Sequence, residues 1–103
     1  MERKEYARAE RLFREALQIY AATLPPDHLS VGISRARLGS TLAAEHRYSE
    51  AEVESRAGYE ILSKKASPSI KWLQIARHDL ATEYQALNQP DKAVKFREPI
   101  AKP

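Results

Sequence analysis

Apolar residues recur at three- and four-residue steps along nearly the whole chain. Leu12, Phe13, Ala16, Leu17, Tyr20 and Leu24 make one stripe, and Ile33, Leu38 and Leu42 a second. Val53, Tyr59 and Leu62 make a third, and Trp72, Leu73, Ile75, Leu80, Tyr84 and Leu87 a fourth. A helix of 3.6 residues per turn puts such positions on one side, where they can be buried together. No window alternates with a period of two, so the pattern predicts helices and no strands.

The polar and breaking residues divide these stripes into five predicted helices, at 2–24, 28–45, 49–65, 68–87 and 91–98. Pro25-Pro26-Asp27 stops the first, and Asp27 is placed to accept hydrogen bonds from the opening amides of the second. Ser49-Glu50-Ala51-Glu52 has the form of a capping box, with Tyr48 and Val53 as its hydrophobic staple. Ser67-Pro68 opens the fourth helix with proline in its first turn, where the missing amide does no harm. Pro90-Asp91 opens the fifth with Asp91 as its cap, and Pro99 ends or kinks it.

Sliding the chain against itself by 42 residues aligns it without a gap. Tyr6 falls on Tyr48, Ala9 on Ala51, Glu10 on Glu52, Ala16 on Gly58 and Ile19 on Ile61. Further along, Pro26 falls on Pro68, Ile33 on Ile75, Arg35 on Arg77, Leu38 on Leu80, Ala44 on Ala86 and Ala51 on Ala93. A fixed period of roughly 20–50 residues marks a stacked-repeat solenoid, in which each unit buries its apolar side against the next. Small residues at Gly39/Ala81, Ala9/Ala51/Ala93 and Ala16/Gly58 would let paired helices approach closely, while the large ones fill between them.

Helix-turn-helix units with Leu38-Gly39, Leu42, Tyr48, Ala51 and Gly58 at these offsets resemble tetratricopeptide repeats, and Leu80-Ala81, Tyr84, Pro90 and Ala93 repeat them. The 42-residue period and Leu24-Pro25-Pro26-Asp27-His28 resemble the longer kinesin-light-chain-type subclass. The resemblance covers nearly the whole chain. It implies an all-α fold: a right-handed helical solenoid of about five antiparallel helices, or about two and a half repeats. Residues 2–24 would be the second helix of an incomplete repeat, 28–65 a complete repeat, 68–98 an eroded C-terminal repeat and 99–103 a tail, all in one domain. Phe13 becomes Ser55 and then Arg97, and Gly58 becomes Ile100, which is the erosion. His46 and Asn88 stand in the turn where the family often has glycine; of the two, asparagine tolerates that conformation better. Because the chain starts inside a unit, it reads as an excerpt of a longer protein. The stretch from Leu87 to Ala93 followed by Phe96-Arg97 also resembles the closing repeat of large bacterial multidomain proteins. Some of those carry a Ser/Thr kinase domain, which nothing in this sequence encodes.

Composition narrows the function classes. The 103 residues carry 17 Lys/Arg against 14 Asp/Glu, but the two signs are interspersed, so the formal charge of +3 makes no basic stripe for nucleic acid. The absence of cysteine excludes disulfides, thiolate metal sites and a cysteine nucleophile, and suits a cytoplasmic setting. No uncharged run approaches the roughly 18 residues of a membrane span. The charged start Met1-Glu2-Arg3-Lys4-Glu5 has no apolar stretch behind it and does not read as a signal peptide.

Candidate chemistry is sparse. His28 and His46 fall in turns, and His78 has no second ligand at metal spacing on its own helix face. Asp79 and Glu83 share a face one turn apart and read as exposed, solvated carboxylates. Three glycines within helical segments make no phosphate cradle, and no serine stands in a nucleophile elbow. The expectation is therefore a non-enzyme with no cofactor, no metal and no small-molecule substrate. The tyrosines read as core, and Trp72 as the aromatic residue most exposed.

The family resemblance implies that first helices line a concave groove holding an extended peptide or partner helix. In this register the groove positions are Ile33, Ala36, Arg37, Ser40 and Ala43, and their equivalents Ile75, His78, Asp79, Thr82 and Gln85. Arg37 suits a carboxylate and Gln85 suits peptide backbone. The paired asparagines common in kinesin-light-chain-type repeats read Ala36-Arg37 and His78-Asp79 here, and the Lys/Asn set of the chaperone-tail clamp is missing. A different reading pairs Leu12, Phe13, Leu17 and Tyr20 of the first helix with a second copy as a homodimer or capping segment.

Overall fold

The computed structural model describes residues 3–65 and 70–97. They form five helices: α1 (Arg3–Thr23), α2 (Leu29–Ala44), α3 (Tyr48–Lys65), α4 (Lys71–Ala86) and α5 (Pro90–Arg97). Among the described residues there is no strand.

Several helix starts differ from the sequence expectation. The cap of α2 is His28, not Asp27: His28 takes extended backbone angles and its Nδ1 accepts the Ser30 amide at 3.0 Å. Asp27, one residue too early, pairs instead with Lys65 Nζ at 3.2 Å. At α3 the helix begins at Tyr48, so Ser49 lies inside it and the capping box does not form. The Arg47 carbonyl accepts the Ala51 amide, while Glu50 accepts from the Arg47 side chain at 2.7 and 2.9 Å. Val53 is half exposed and Tyr48 stacks on His46, so the staple is absent too. In α5, Pro90 takes the first helical position and Asp91 sits in the first turn rather than at the cap; the Gln89 carbonyl accepts the Ala93 amide. Ser67, Pro68 and Pro99 lie outside the described residues, and α4 starts at Lys71 after Ile70, which supplies no side-chain cap.

The two hairpin turns close in the same way, 42 residues apart. His46 and Asn88 have φ of 61° and 59°. At each, the residue's own amide and the next one bond back to the helix: His46 to Ala43 and Arg47 to Leu42, then Asn88 to Gln85 and Gln89 to Tyr84. This is a Schellman closure, which satisfies the last carbonyls of α2 and α4. Histidine in the left-handed conformation costs about 1–2 kcal/mol more than glycine there, a strain asparagine largely avoids.

Short turns fold α2 against α3 and α4 against α5, and α1 packs on α2 as the outer helix of a preceding hairpin would. The first helices of the two complete hairpins, α2 and α4, touch one another, whereas among the described residues α1 and α3, or α3 and α5, never bring Cα atoms within 8 Å. The stack is therefore tighter on the α2/α4 side, which makes that side the concave one.

Burial follows the stack rather than a centre. Leu38, Leu42 and Ala51, with Phe13 and Leu17, seal α1–α2–α3. Ala36, Leu62, Leu73 and Ala76 seal α2–α3–α4, and Leu80, Ala81, Tyr84, Ala93 and Phe96, with Tyr59, seal α3–α4–α5. The first and last clusters are the same cluster moved by one period: Leu38 becomes Leu80, Leu42 becomes Tyr84, Ala51 becomes Ala93 and Leu17 becomes Tyr59. Equivalent arginines also tie each hairpin. Arg35 binds Glu54 at 2.8 Å, and Arg77 donates to the Phe96 carbonyl at 2.8 Å, 42 residues further along at both ends.

The equivalence breaks at one place. Where the first cluster has Phe13 and Thr41, the second unit has Ser55 and Glu83. Serine is far smaller than phenylalanine, and the Glu83 side chain reaches in to meet it. Gly39 of α2 closes the third side, since a Cβ there would lie 2.1 Å from Ser55 Oγ and 2.9 Å from the Ser55 backbone nitrogen.

Candidate partner-binding face

The concave side is built from residues that α2 and α4 turn away from α3. Arg37 is exposed, and its guanidinium carbon lies 4.8 Å from the centre of the Phe13 ring and 5.0 Å from that of Trp72. Three helices thus converge on one cation, and among the described residues no carboxylate pairs with it. Lys71 Nζ adds a second positive charge 5.3 Å from the Trp72 ring. One turn further along α2, the Ser40 hydroxyl bonds Asp79 Oδ2 of α4, stitching the two first helices together. Burial pushes the Asp79 carboxyl above its ordinary range, with the Ser40 bond and the charge of His78 opposing.

Beyond Asp79 the α4 surface is polar. His78, Thr82 and Gln85 are exposed, Thr82 Oγ1 donates to the His78 carbonyl at 3.3 Å, and Gln85 Oε1 accepts from the Arg97 guanidinium. With Ala81, Ala86 and Arg97 they line a depression of about 400 Å³. Ile33 and Ile75 are half buried, Ile33 packing into the α2–α3–α4 cluster. Ala36, expected on the groove, is instead fully buried in that cluster. It lies on the side of α2 that backs onto Gly58 of α3, one position before the exposed Arg37.

The other proposed surface divides. Phe13 and Leu17 face α2 and pack on Leu38, Leu42 and Ala51, so they are already used within the chain. Tyr20 is half buried, and the apolar side chains that α1 leaves exposed are Leu12 at 54% and Ile19 at 62%. α1 is held at its other end by Arg47, whose Nη1 reaches Glu10 Oε1 at 2.6 Å; that guanidinium holds the Glu10 carboxyl below the usual range.

The expectation of solvated carboxylates at Asp79 and Glu83 is overturned. Glu83 is 0% exposed, Asp79 is largely covered, and α4 turns this face into the seam rather than to solvent. Glu83 Oε2 accepts from Ser55 Oγ at 2.9 Å, and Oε1 is buried without a hydrogen-bond partner. Burial pushes this carboxyl up to about 8, with the Ser55 bond opposing and the Asp79 and Glu52 charges adding to it. The sequence signal for the site was available: the break in the repeat at Phe13/Ser55 marks where something other than apolar packing must fill the gap.

Among the described residues no group of three or more His, Cys, Asp or Glu side chains is placed to hold a metal, and no helix is long and apolar enough to cross a membrane. What remains is a stack of α-hairpins with a core divided between its seams and a polar, aromatic-edged concave side, the architecture of a helical-repeat scaffold. Residues 1–64 match the family model for the tetratricopeptide repeat, and the chain belongs to that family. Repeats of this family mediate protein–protein contact. Neither a curated protein nor a solved structure gives a significant match.

Proposed function

We propose that this chain is a non-enzymatic interaction module that holds an extended peptide or partner helix on its α2/α4 face, with a carboxylate of the partner on Arg37. The observation that supports this reading is the Phe13–Arg37–Trp72 arrangement. Aromatic rings lie close to the guanidinium from two other helices, and among the described residues its N–H donors have no carboxylate partner. A planar guanidinium held in this way offers paired N–H groups to a carboxylate, and little side-chain freedom is left to lose on binding. Ser40, Asp79, His78, Thr82 and Gln85 would then contact backbone and neighbouring side chains of the partner, with Ile33 and Ile75 beneath. The kinesin-light-chain-like period, a larger bacterial parent and a cytoplasmic setting belong to the same reading, on the strength of the 42-residue repeat and the lack of cysteine.

Selection of displayed random peptides on the wild-type chain tests it. Selected peptides are expected to carry Asp, Glu or a free C-terminus at one position, and Arg37→Glu to weaken them at least tenfold. Val53→Lys on the outer side should leave them unchanged. Equal binding by Arg37→Glu would sink the carboxylate reading.

A second reading, self-association through α1, is favoured by Leu12 and Ile19, exposed two turns apart on one face. It predicts a concentration-dependent dimer by light scattering that Ile19→Glu abolishes. A mass that stays near 11.7 kDa at every concentration excludes it.

A further inference from the structure

We propose that Glu83 is a proton-operated latch: its neutral carboxyl holds the α2–α3–α4 seam closed, and its ionisation loosens α4 and the concave face that α4 carries.

The geometry supports only the neutral form well. The carboxyl is fully buried, has one hydrogen-bond donor in Ser55, and leaves Oε1 without a partner. A buried carboxylate needs a cation or several donors, and neither is present among the described residues. The titratable groups that act on it are Asp79 on its own helix, Glu52 from α3 and the neighbouring Tyr84 hydroxyl, none of them cationic. From α2 the Gly39 notch and Ser40 close the seam, and neither titrates. The space cannot widen without moving a helix, because Ser55 is already against the Gly39 backbone. α4 packs on α2, α3 and α5 at once, so a charge formed at Glu83 strains every seam it shares. Its polar tie to α2 is Ser40–Asp79, and Asp79 is itself a partly buried acid whose charge disfavours that of Glu83.

The direction in pH follows. Glu83 holds its proton up to about 8 in the folded chain against 4.5 unfolded, so its contribution to stability is fully present below 4.5 and is lost as pH rises to about 8. The paired acids Glu10, Glu50 and Glu52 are shifted downwards and act with the opposite sign, below 4.5, so they contribute no slope from pH 6 to 9. Asp79, pushed up by its own burial, acts with the same sign as Glu83. Only the consequence for partner binding rests on the concave-face reading; the latch itself does not.

The test uses urea denaturation of the wild-type chain and Glu83→Gln from pH 6 to 9, with a carbon-13 NMR titration of the glutamate carboxyls. Glu83→Gln keeps an acceptor for Ser55 and cannot ionise. In the wild type the folding equilibrium constant is expected to fall on the order of 10- to 100-fold across that range. The Glu83 resonance should titrate above pH 7, and Glu83→Gln should remove most of the slope, with Asp79 accounting for what remains. A Glu83 resonance that titrates with the surface glutamates below pH 6 overturns the latch, as does an unchanged slope in Glu83→Gln. Should that variant fail to fold, the titration decides alone. No partner enters these readouts, so their failure leaves the Arg37 reading standing, and failure of peptide selection leaves the latch standing.

Discussion

Gly58→Ala is expected to cost about 3 kcal/mol or more, even though alanine in a helix interior is worth about 1 kcal/mol over glycine. The reason is contact between backbones. A Cβ at position 58 would lie 2.7 Å from the Ala36 backbone nitrogen and 2.9 Å from the Gly32 carbonyl oxygen. Neither atom can turn aside, so α3 must move away from α2, opening the seam that Ala36 and Leu62 close. Gly32→Ala provides the comparison. There a Cβ meets the Ile61 side chain, its Cγ2 at 2.7 Å and its Cβ at 3.0 Å, and no backbone atom, so a smaller shift of α3 relieves the contact. Urea midpoints should therefore fall much further for Gly58→Ala than for Gly32→Ala. Equal midpoints would mean the two helices are not in backbone contact.

Phe96→Ala should cost about 3–5 kcal/mol locally, and lose one helix rather than the fold. Phe96 is 8% exposed, meets the Tyr59 ring edge-on at 5.2 Å and stacks on Tyr84 at 5.8 Å. With Ala93 it supplies all the buried side chains of the eight-residue α5, which is too short to persist unpacked. Its backbone carbonyl is also the anchor for Arg77, so the tie between α4 and α5 goes with it. Because the α1–α2–α3 cluster shares no residue with the α3–α4–α5 cluster, amide exchange should rise in α5 and at the end of α4 while α2 stays protected. Uniform loss of protection would show that the seams unfold as one unit.

Much of this architecture is legible in the amino-acid sequence. The 42-residue period placed Leu38 and Leu80, and Ala51 and Ala93, in equivalent seams, and they lie there. The turns at His46 and Asn88 were marked by the family resemblance, which places glycine there, and both residues have positive φ. Helix starts were less legible, because Asp27 and Ser49 are good capping residues chemically but stand one residue before and two residues after the position that caps the helix. Capping depends on a backbone angle at one residue, and composition does not resolve a shift of one or two.

The candidate site was partly readable. Arg37, Ser40, Thr82 and Gln85 follow from the register of the first helices. That Phe13 and Trp72 would meet Arg37 did not, since they lie 24 residues before and 35 after it. Phe13 read as an association residue because one helix shows two apolar flanks, and only the neighbour decides which is covered.

By itself, then, the amino-acid order determined the helices, their period and the class of scaffold, because these depend on spacing within about 42 residues. Tertiary structure alone decided the fate of the side chains at the break in that period. Asp79 and Glu83 look alike in sequence, two acids one turn apart on a helix. Packing of α2 and α3 around α4 bonds one to Ser40 on the concave side and seals the other beside Ser55. Burial is set by three helices at once, and so is the energy of a charge; neither can be read from one of them.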